Sequence, residues 1–451
     1  MRYSAYKQYK DSGIEWLGEI PLFWKMTSLK RNVALNPSKS EVIHKKLVKC
    51  SFIPMESLKT DYLAIDDERV IESVYDGYTY FKDGDLLLAK VTPCFENRNI
   101  AVANELKNGI GFGSSEIYVI RPNHKIHTRF LFYYVQNEQF IQFAKEHMTG
   151  AGGLKRIPSE FLVNIEFPEI SIEEQRKITD FLDKETAKIN ILIEKQKRLI
   201  QLLEEKRQAV ISHIATKGLN PNVKMKDSGV KWVGDVPEHW KINLLSNLFI
   251  NNKTKNTQLK NINLLSLSYG KIVRKDINTS HGLLPENFNT YQIVNRGNII
   301  LRLTDLQNDK KSLRTGYVNE TGIITSAYIG LEKKSQLIFN EKYFYFFLHA
   351  FDIQKGFYGM GAGVRQSLTF EELKKLEFII PPNEEQNEIV EHIEKQCNKI
   401  DKLIFYGKEL TFLLNERRTA LISAAVTGKV DVRNITSKDL NEHTPNARKK
   451  L

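Results

Sequence analysis

Two stretches of this 451-residue chain carry side chains able to read the edges of base pairs. The first is Lys90-Val-Thr92-Pro-Cys-Phe-Glu96-Asn97-Arg98-Asn99, and the second is Arg302-Leu-Thr304-Asp305-Leu-Gln307-Asn308-Asp-Lys310-Lys311. Arg and Lys suit guanine, Asn and Gln suit adenine, and acidic groups accept from cytosine. Two Gly-rich loops add Lys155, Arg156, Arg365 and Gln366, in Gly150-Ala-Gly-Gly-Leu-Lys-Arg156 and Gly361-Ala-Gly-Val-Arg-Gln366. Small residues there allow close backbone approach. Taken one at a time, each of these residues fits an ordinary solvated loop equally well. Taken as a pair, the two stretches hold equivalent positions with different residues, which favours DNA contact and two different half-sites. Lys155, Arg156 and Arg365 are expected on phosphates. Asn97, Arg98, Arg302 and Gln307 are expected to choose bases.

No catalytic constellation accompanies them. A Gly-x-x-x-x-Gly-Lys-Ser/Thr phosphate loop is missing. The glycines at 359, 361 and 363 lead into Val364-Arg365, not a dinucleotide-binding turn. Asn36-Pro37 runs into Ser38-Lys39, without the aromatic residue that an adenine methyltransferase motif needs. His44, His124, His127 and His147 lack metal-ligand spacing. Cys50, Cys94 and Cys397 are far apart and show neither redox nor metal spacing, which fits a reduced, cytoplasmic setting.

Composition narrows the class further. With 41% hydrophobic residues the chain is globular, and its net charge of +12 suits a polyanionic partner. The opening MRYSAYKQYKDSG has no apolar core of a signal peptide. The run Tyr343 to Phe351 is too short to span a bilayer.

The elements that must position the loops come from a tandem duplication. Residues 10–25, KDSGIEWLGEIPLFWK, return at 226–241 as KDSGVKWVGDVPEHWK, so Trp16 and Trp24 answer to Trp232 and Trp240. A β-rich region follows each copy. Strands are expected at Asp85–Lys90 and Glu116–Arg121, and again at Asn298–Arg302 and Ala327–Glu332. Helical stretches follow at Thr128–His147 and Glu341–Lys355. A short strand ending at Pro168 or Pro381 leads into a long helix each time. The tail after Arg433 is polar and expected to be disordered.

Those two long helices are Glu173–Lys217 and Glu384–Lys429, free of Pro and nearly free of Gly. Ser171 with Glu174 reads as a capping box, and Gly218 with Pro221 as a stop. Apolar residues recur at Leu182, Ile189, Ile193, Ile200, Leu203, Val210 and Ile214. Laid over it from Glu384, the second helix repeats the seam as Ile393, Ile400, Ile404, Leu414 and Leu421, and Gly407 falls on Gln196. A helix of ~45 residues is ~65 Å long. It needs an equally long partner, and a paired coiled coil follows.

The repeated KDSG-x-x-W-x-G-x-[IV]-P-x-x-W segment, the Glu-Glu-Gln helix entries and the helix ends at 205–212 and 416–423 resemble the specificity subunits of type I restriction-modification systems. The resemblance covers nearly the whole chain, to about Arg433. It implies an α+β fold: two tandem mixed α/β target-recognition domains separated by two long antiparallel coiled-coil helices, a pseudo-twofold internal repeat. The domains would run 1–170 and 219–382, the helices 171–218 and 383–432, and the tail 433–451. Each domain would bind one half of a split double-stranded DNA target. The helices would set the half-site spacing and dock two modification subunits, and restriction subunits would complete the complex. No cofactor would be bound by this chain; S-adenosylmethionine would belong to the modification subunits, and ATP and Mg to the restriction subunits. The other readings open at this stage are a stand-alone methyltransferase or nuclease with degenerate motifs, and a coiled-coil protein scaffold.

Overall fold

The structure is a computed structural model that describes residues 3–151, 153–257, 262–277, 288–309, 312–360 and 367–435. The second Gly-rich loop, with Arg365 and Gln366, and the tail from residue 436 lie outside the described residues. The chain divides into two compact units, Met1–Gln196 with Leu410–Leu451, and Lys197–Glu409. The division cuts across the two long helices, which run Ile172–Lys217 and Asn383–Val426. Each unit therefore holds the start of one helix, the end of the other, and its own sheets.

In the first unit a four-stranded antiparallel sheet has the order Val33–Leu35, Ile117–Pro122, Leu86–Ala89, Ile100–Val102. The second unit repeats that order with Phe249–Asn252, Ile329–Lys333, Ile299–Leu301, Thr315–Tyr317. A turn of the same design feeds the third strand of the order in both. Asp85 Oδ2 accepts from Lys82 N at 2.8 Å, and Asn298 Oδ1 accepts from Asn295 N at 2.8 Å. Gly84 and Gly297 precede them at φ 89° and 98°, a left-handed conformation that a side chain resists. The first unit adds a mixed four-stranded sheet, Asp67–Val70, Lys49–Ile53, Ile110–Gly113, Thr79–Lys82, whose second and third strands run parallel. At the corresponding point the second unit has the two-stranded pairs Leu265–Ser268 with Lys271–Arg274, and Gln292–Val294 with Gly322–Ile324.

The expected helical stretch 128–147 is two helices, Thr128–Gln136 and Glu138–Glu146. The break comes from Asn137, which is fully buried. Its side chain accepts from Gln139 N at 3.0 Å and receives a hydrogen bond from Ser423 Oγ at 2.9 Å. An Asn that caps cannot also continue the helix before it. In the second unit Glu341–Ile353 is one helix, with Ala350 where an asparagine would break it. Ser212, the counterpart of Ser423, is then left with a buried hydroxyl that has no hydrogen-bond partner among the described residues.

The duplicated motifs meet at the helix entries. Trp24 Nε1 donates to Glu174 Oε1 at 3.2 Å, and Trp240 Nε1 donates to Glu385 Oε2 at 3.0 Å. Both indoles are almost wholly buried. Each buries roughly 150–250 Å², which at ~25 cal/mol per Å² stabilises its unit by about 4–6 kcal/mol. The capping box expected at Ser171 and Glu174 forms by half. Ser171 Oγ accepts from Glu174 N at 3.2 Å, but the Glu174 carboxylate turns to Trp24 and to Tyr6, whose hydroxyl donates at 2.8 Å. Gln175 and Gln386 tie each entry to the start of the preceding helix, accepting from His127 N at 2.8 Å and Asn340 N at 3.0 Å.

The paired-helix seam is divided between the cores. In the first unit Leu182, Ile189 and Ile193 share a cluster with Leu414 and Leu421. In the second, Ile211 and Ile214 cluster with Ile389, Ile393 and Cys397, and Ile400 is buried too. Ile200, Leu203, Val210 and Ile404 are half-buried. Within each unit the end of one helix packs on the start of the other, so the pair is antiparallel.

Candidate nucleic-acid interface

In the first unit the loop Lys90–Asn99 leaves the sheet at Ala89 and returns at Ile100. It is closed on itself by Phe95 N to Val91 O at 2.9 Å, Asn97 N to Pro93 O at 2.9 Å and Asn99 N to Cys94 O at 3.0 Å. Phe95 is its buried anchor. The Gly-rich segment is a hairpin, Thr149–Ala151 paired with Leu154–Arg156, with every strand residue exposed. Thr92 joins hairpin to loop. Its hydroxyl donates to Gly153 O at 2.8 Å and accepts from Lys155 N at 2.9 Å, and its amide donates to Lys155 O at 3.0 Å. Lys90, Thr92, Lys155 and Arg156 are thereby brought together.

Glu116, which sequence reasoning passed over as the start of a strand, sits at their centre. Arg156 binds it through Nε at 3.1 Å and Nη2 at 2.9 Å, and Lys90 Nζ lies 3.9 Å away. Hydrogen bonds from Arg156 and then the charge of Lys90 hold the Glu116 carboxyl below its usual range, against the smaller opposing effect of burial. Lys155 is exposed and forms no ion pair among the described residues, as is Asn97 with respect to side-chain hydrogen bonds. Arg98 is placed differently. Its guanidinium donates to Gln136 O at 3.1 Å and pairs with Glu138, so it braces the loop against the helix junction at Asn137.

In the second unit the loop Arg302–Asp309 leaves the equivalent strand, with Leu306 as its buried anchor. Leu303 O accepts from Leu368 N at 2.9 Å, just as Lys90 O accepts from Ile157 N at 2.9 Å. Arg302 pairs with Asp309 at 3.1 Å. Gln307 and Asn308 are exposed, and Asn308 Nδ2 donates to Asp305 Oδ1 at 2.7 Å. Thr304 is half-buried. Lys310 and Lys311 lie outside the described residues. Beneath the loop is a buried polar group with no sequence signal. Arg314 is fully buried, and its backbone N donates to Asp352. Burial raises the Asp352 carboxyl to about 6, and burial with the charge of Arg207 lowers His349 to about 3.

Two clefts in the first unit, about 440 and 590 Å³, are lined by none of the loop residues. Among the described residues no group of three or more His, Cys, Asp or Glu could hold a metal ion, and no helix is long and apolar enough to cross a membrane.

Two segments, residues 73–203 and 237–405, match the family model described as type I restriction modification DNA specificity domain. They make up well over half of the chain. The chain is 36% identical over 163 residues to the type I restriction enzyme EcoAI specificity subunit of Escherichia coli, and 32% identical over 169 residues to the EcoEI specificity subunit of the same organism. These stretches are 36% and 37% of this chain, and the chain spans just over a quarter of the relatives' own length, 27% and 28%. A chain solved in work on complex assembly and conformational transition of the type I R-M system matches in fold, with TM-score 0.69 and 14% identity over 91% of this chain and 99% of that one. The HsdS subunit from Thermoanaerobacter tengcongensis matches with TM-score 0.52 and 14% identity, over 91% of this chain and 98% of its own.

Proposed function

This chain belongs to the type I restriction modification DNA specificity family, and on that premise we propose that it is the sequence-reading subunit of a type I restriction-modification complex. One observation carries the reading. Two sheets of the same strand order deliver, at the same joint, a polar loop anchored by buried apolar side chains and different in its exposed ones. Asn97 stands out in one loop, Gln307 and Asn308 in the other. A duplicated frame with two different readers suits a DNA target split into two unlike halves.

Recognition divides as follows in this reading. Asn97, Gln307 and Asn308 choose bases. Lys155 takes a phosphate, with Arg156 and Lys90 joining it when a phosphate displaces Glu116. Arg365 and Gln366 would act at the second half-site. Arg98 leaves the group of base readers, because its guanidinium is already committed within the fold.

The chain reads and does not catalyse. Modification subunits supply S-adenosylmethionine and methylate adenine; restriction subunits supply ATP-driven cleavage with Mg. We place the docking of the modification subunits on the long helices. In the first unit these expose Ile191, Leu192, Leu410, Phe412 and Leu413, and in the second Leu199, Leu202, Leu403, Phe405 and Tyr406. Apolar residues on a charged helix surface are what a helical partner would cover. The complex acts on DNA in the cytoplasm.

Mapping methylated adenines genome-wide, in cells with and without the gene, tests this. A bipartite methylated motif that disappears with the gene is the expected result. The purified chain alone should transfer no methyl group, and activity should appear when modification subunits are added. Methylation by the chain alone, or a methylome indifferent to the gene, would refute the proposal.

A further inference from the structure

A buried cation holds the second loop. The Arg314 guanidinium donates through Nη1 to Thr304 O at 3.0 Å and through Nη2 to Asp305 O at 3.4 Å and to Asp309 O. Its Nε donates to the Tyr358 hydroxyl at 3.3 Å, and that hydroxyl donates in turn to Asp309 O at 3.1 Å. The Arg314 backbone carbonyl accepts from Arg302 N at 2.8 Å, at the root of the same loop. Gln307 and Asn308 lie within the span that these carbonyls clamp. Asp305, inside the span, has φ 55°, a left-handed conformation that is uncommon outside glycine and that Asp tolerates better than most residues.

Burying a guanidinium is expensive, and a well-packed apolar side chain would usually stabilise the same site better. Here Arg314 is fully buried, and the carboxylate that faces its guanidinium, on Asp309, is 3.9 Å from Nη2. Its Nη1 and Nη2 groups go to main-chain oxygens of one loop instead, and its Nε to the Tyr358 hydroxyl. That expenditure makes sense only for the shape of the loop. The first unit meets the same need from the opposite direction: Arg98 lies in the loop and reaches out to Gln136 O and Glu138. Arg314 lies just before the strand Thr315–Tyr317 that follows the loop, and reaches in.

We propose that Arg314 is the positioning residue of the second half-site: it fixes the loop so that Gln307 and Asn308 face the base pairs in one arrangement. This rests on the reading of the loop as a DNA contact. Arg314 itself touches no base. It acts by holding three carbonyls, and its loss frees the loop to accept more than one base pair without removing any side chain that reads.

The test uses the full chain assembled with its modification subunits and S-adenosylmethionine. Methyl transfer is measured on duplexes bearing the cognate site, or one base-pair change in the first or the second half. Arg314→Lys keeps the charge and loses the fork of donors. It should lower discrimination against second-half changes by about tenfold, the scale of one mismatched pair, and leave first-half discrimination unchanged. Tyr358→Phe removes one partner of the clamp at little risk to folding, and should relax the same half to a smaller degree. Unchanged discrimination at both halves in both variants would overturn the proposal. So would an equal loss at both halves, which is the signature of general destabilisation. A wild-type complex without sequence preference would instead refute the reading of the chain as a specificity subunit, and the proposal with it.

Discussion

Removing the carboxylate at each helix entry should hurt the two units unequally. In the first unit Glu174 accepts from two buried donors, Trp24 Nε1 at 3.2 Å and Tyr6 Oη at 2.8 Å. In the second, Glu385 accepts from Trp240 Nε1 at 3.0 Å and from His239 Nε2 at 2.8 Å, but His239 is 46% exposed and can turn to water. A buried donor left without an acceptor costs ~1–3 kcal/mol. Glu174→Ala should therefore destabilise its unit by about 2–6 kcal/mol and Glu385→Ala by about 1–3 kcal/mol. Their exposed neighbours serve as controls, and Glu173→Ala and Glu384→Ala should stay within about 0.5 kcal/mol. Hydrogen exchange followed by mass spectrometry reads the two units separately through residues 10–25 and 226–241, with urea unfolding for the total. Glu174→Gln, which keeps an acceptor oxygen, should recover part of the loss. If Glu385→Ala cost as much as Glu174→Ala, or if Glu174→Ala cost no more than Glu173→Ala, the account of the repeated tryptophan as a donor to the helix entry would be wrong.

Three further outcomes are expected. Ser212→Ala should be neutral or stabilising, because its hydroxyl is buried without a partner among the described residues, whereas Ser423→Ala should cost about 1 kcal/mol in thermal unfolding. In DNA binding titrated with salt, Lys155→Ala should reduce the salt slope by about one. Arg156→Ala should reduce it less, since Glu116 already neutralises that cation. The third concerns pH. Folded Asp352 holds its proton up to about pH 6, against 3.8 in the unfolded chain, so its contribution to stability falls as pH rises through that window. Folded His349 refuses a proton down to about pH 3, against 6.5 unfolded, so its contribution falls as pH drops. The two slopes oppose each other between about pH 4 and 6. Asp352→Asn should expose the histidine slope alone, losing about 2 kcal/mol relative to wild type on going from pH 6.5 to 4.5. A parallel pH dependence in the two proteins would contradict it.

The duplication was legible because it rests on residue types that tolerate few substitutes. Two tryptophans, the turn glycines and a proline at fixed spacing survive in both copies, and the strands that follow alternate with clear turns. The long helices were legible from their apolar seam. What escaped was every role set by a distant partner. Glu174 has the spacing of a capping residue, yet a tryptophan 150 residues earlier claims its carboxylate. Asn137 looks like one weak residue in a helical run until Ser423 and its own cap are in place. Arg98 has the character of a base reader, and Glu138, far along the chain, makes it a brace. Arg314 had no signal at all, because burial of an arginine is decided by the carbonyls that surround it and not by its neighbours in sequence.

The closing of the first unit has a consequence for how the protein is made. Its N-terminal segment is completed by residues beyond 409: Ser4 O accepts from Asp431 N at 2.8 Å, and the Tyr9 hydroxyl donates to Gly428 O at 3.1 Å. A Cβ at Gly428 would lie 2.4 Å from Pro21, so the contact is close. The ribosome releases residues 1–196 first, yet their unit stays unfinished until the whole of 197–409 has been synthesised. The second unit, contiguous in the chain, can fold while the first still waits. During that interval the faces of Pro21, Trp24 and Tyr9 that Gly428 later covers have nothing to pack on. A chain that stops short of residue 410 would thus carry a finished second unit and an unfinished first one.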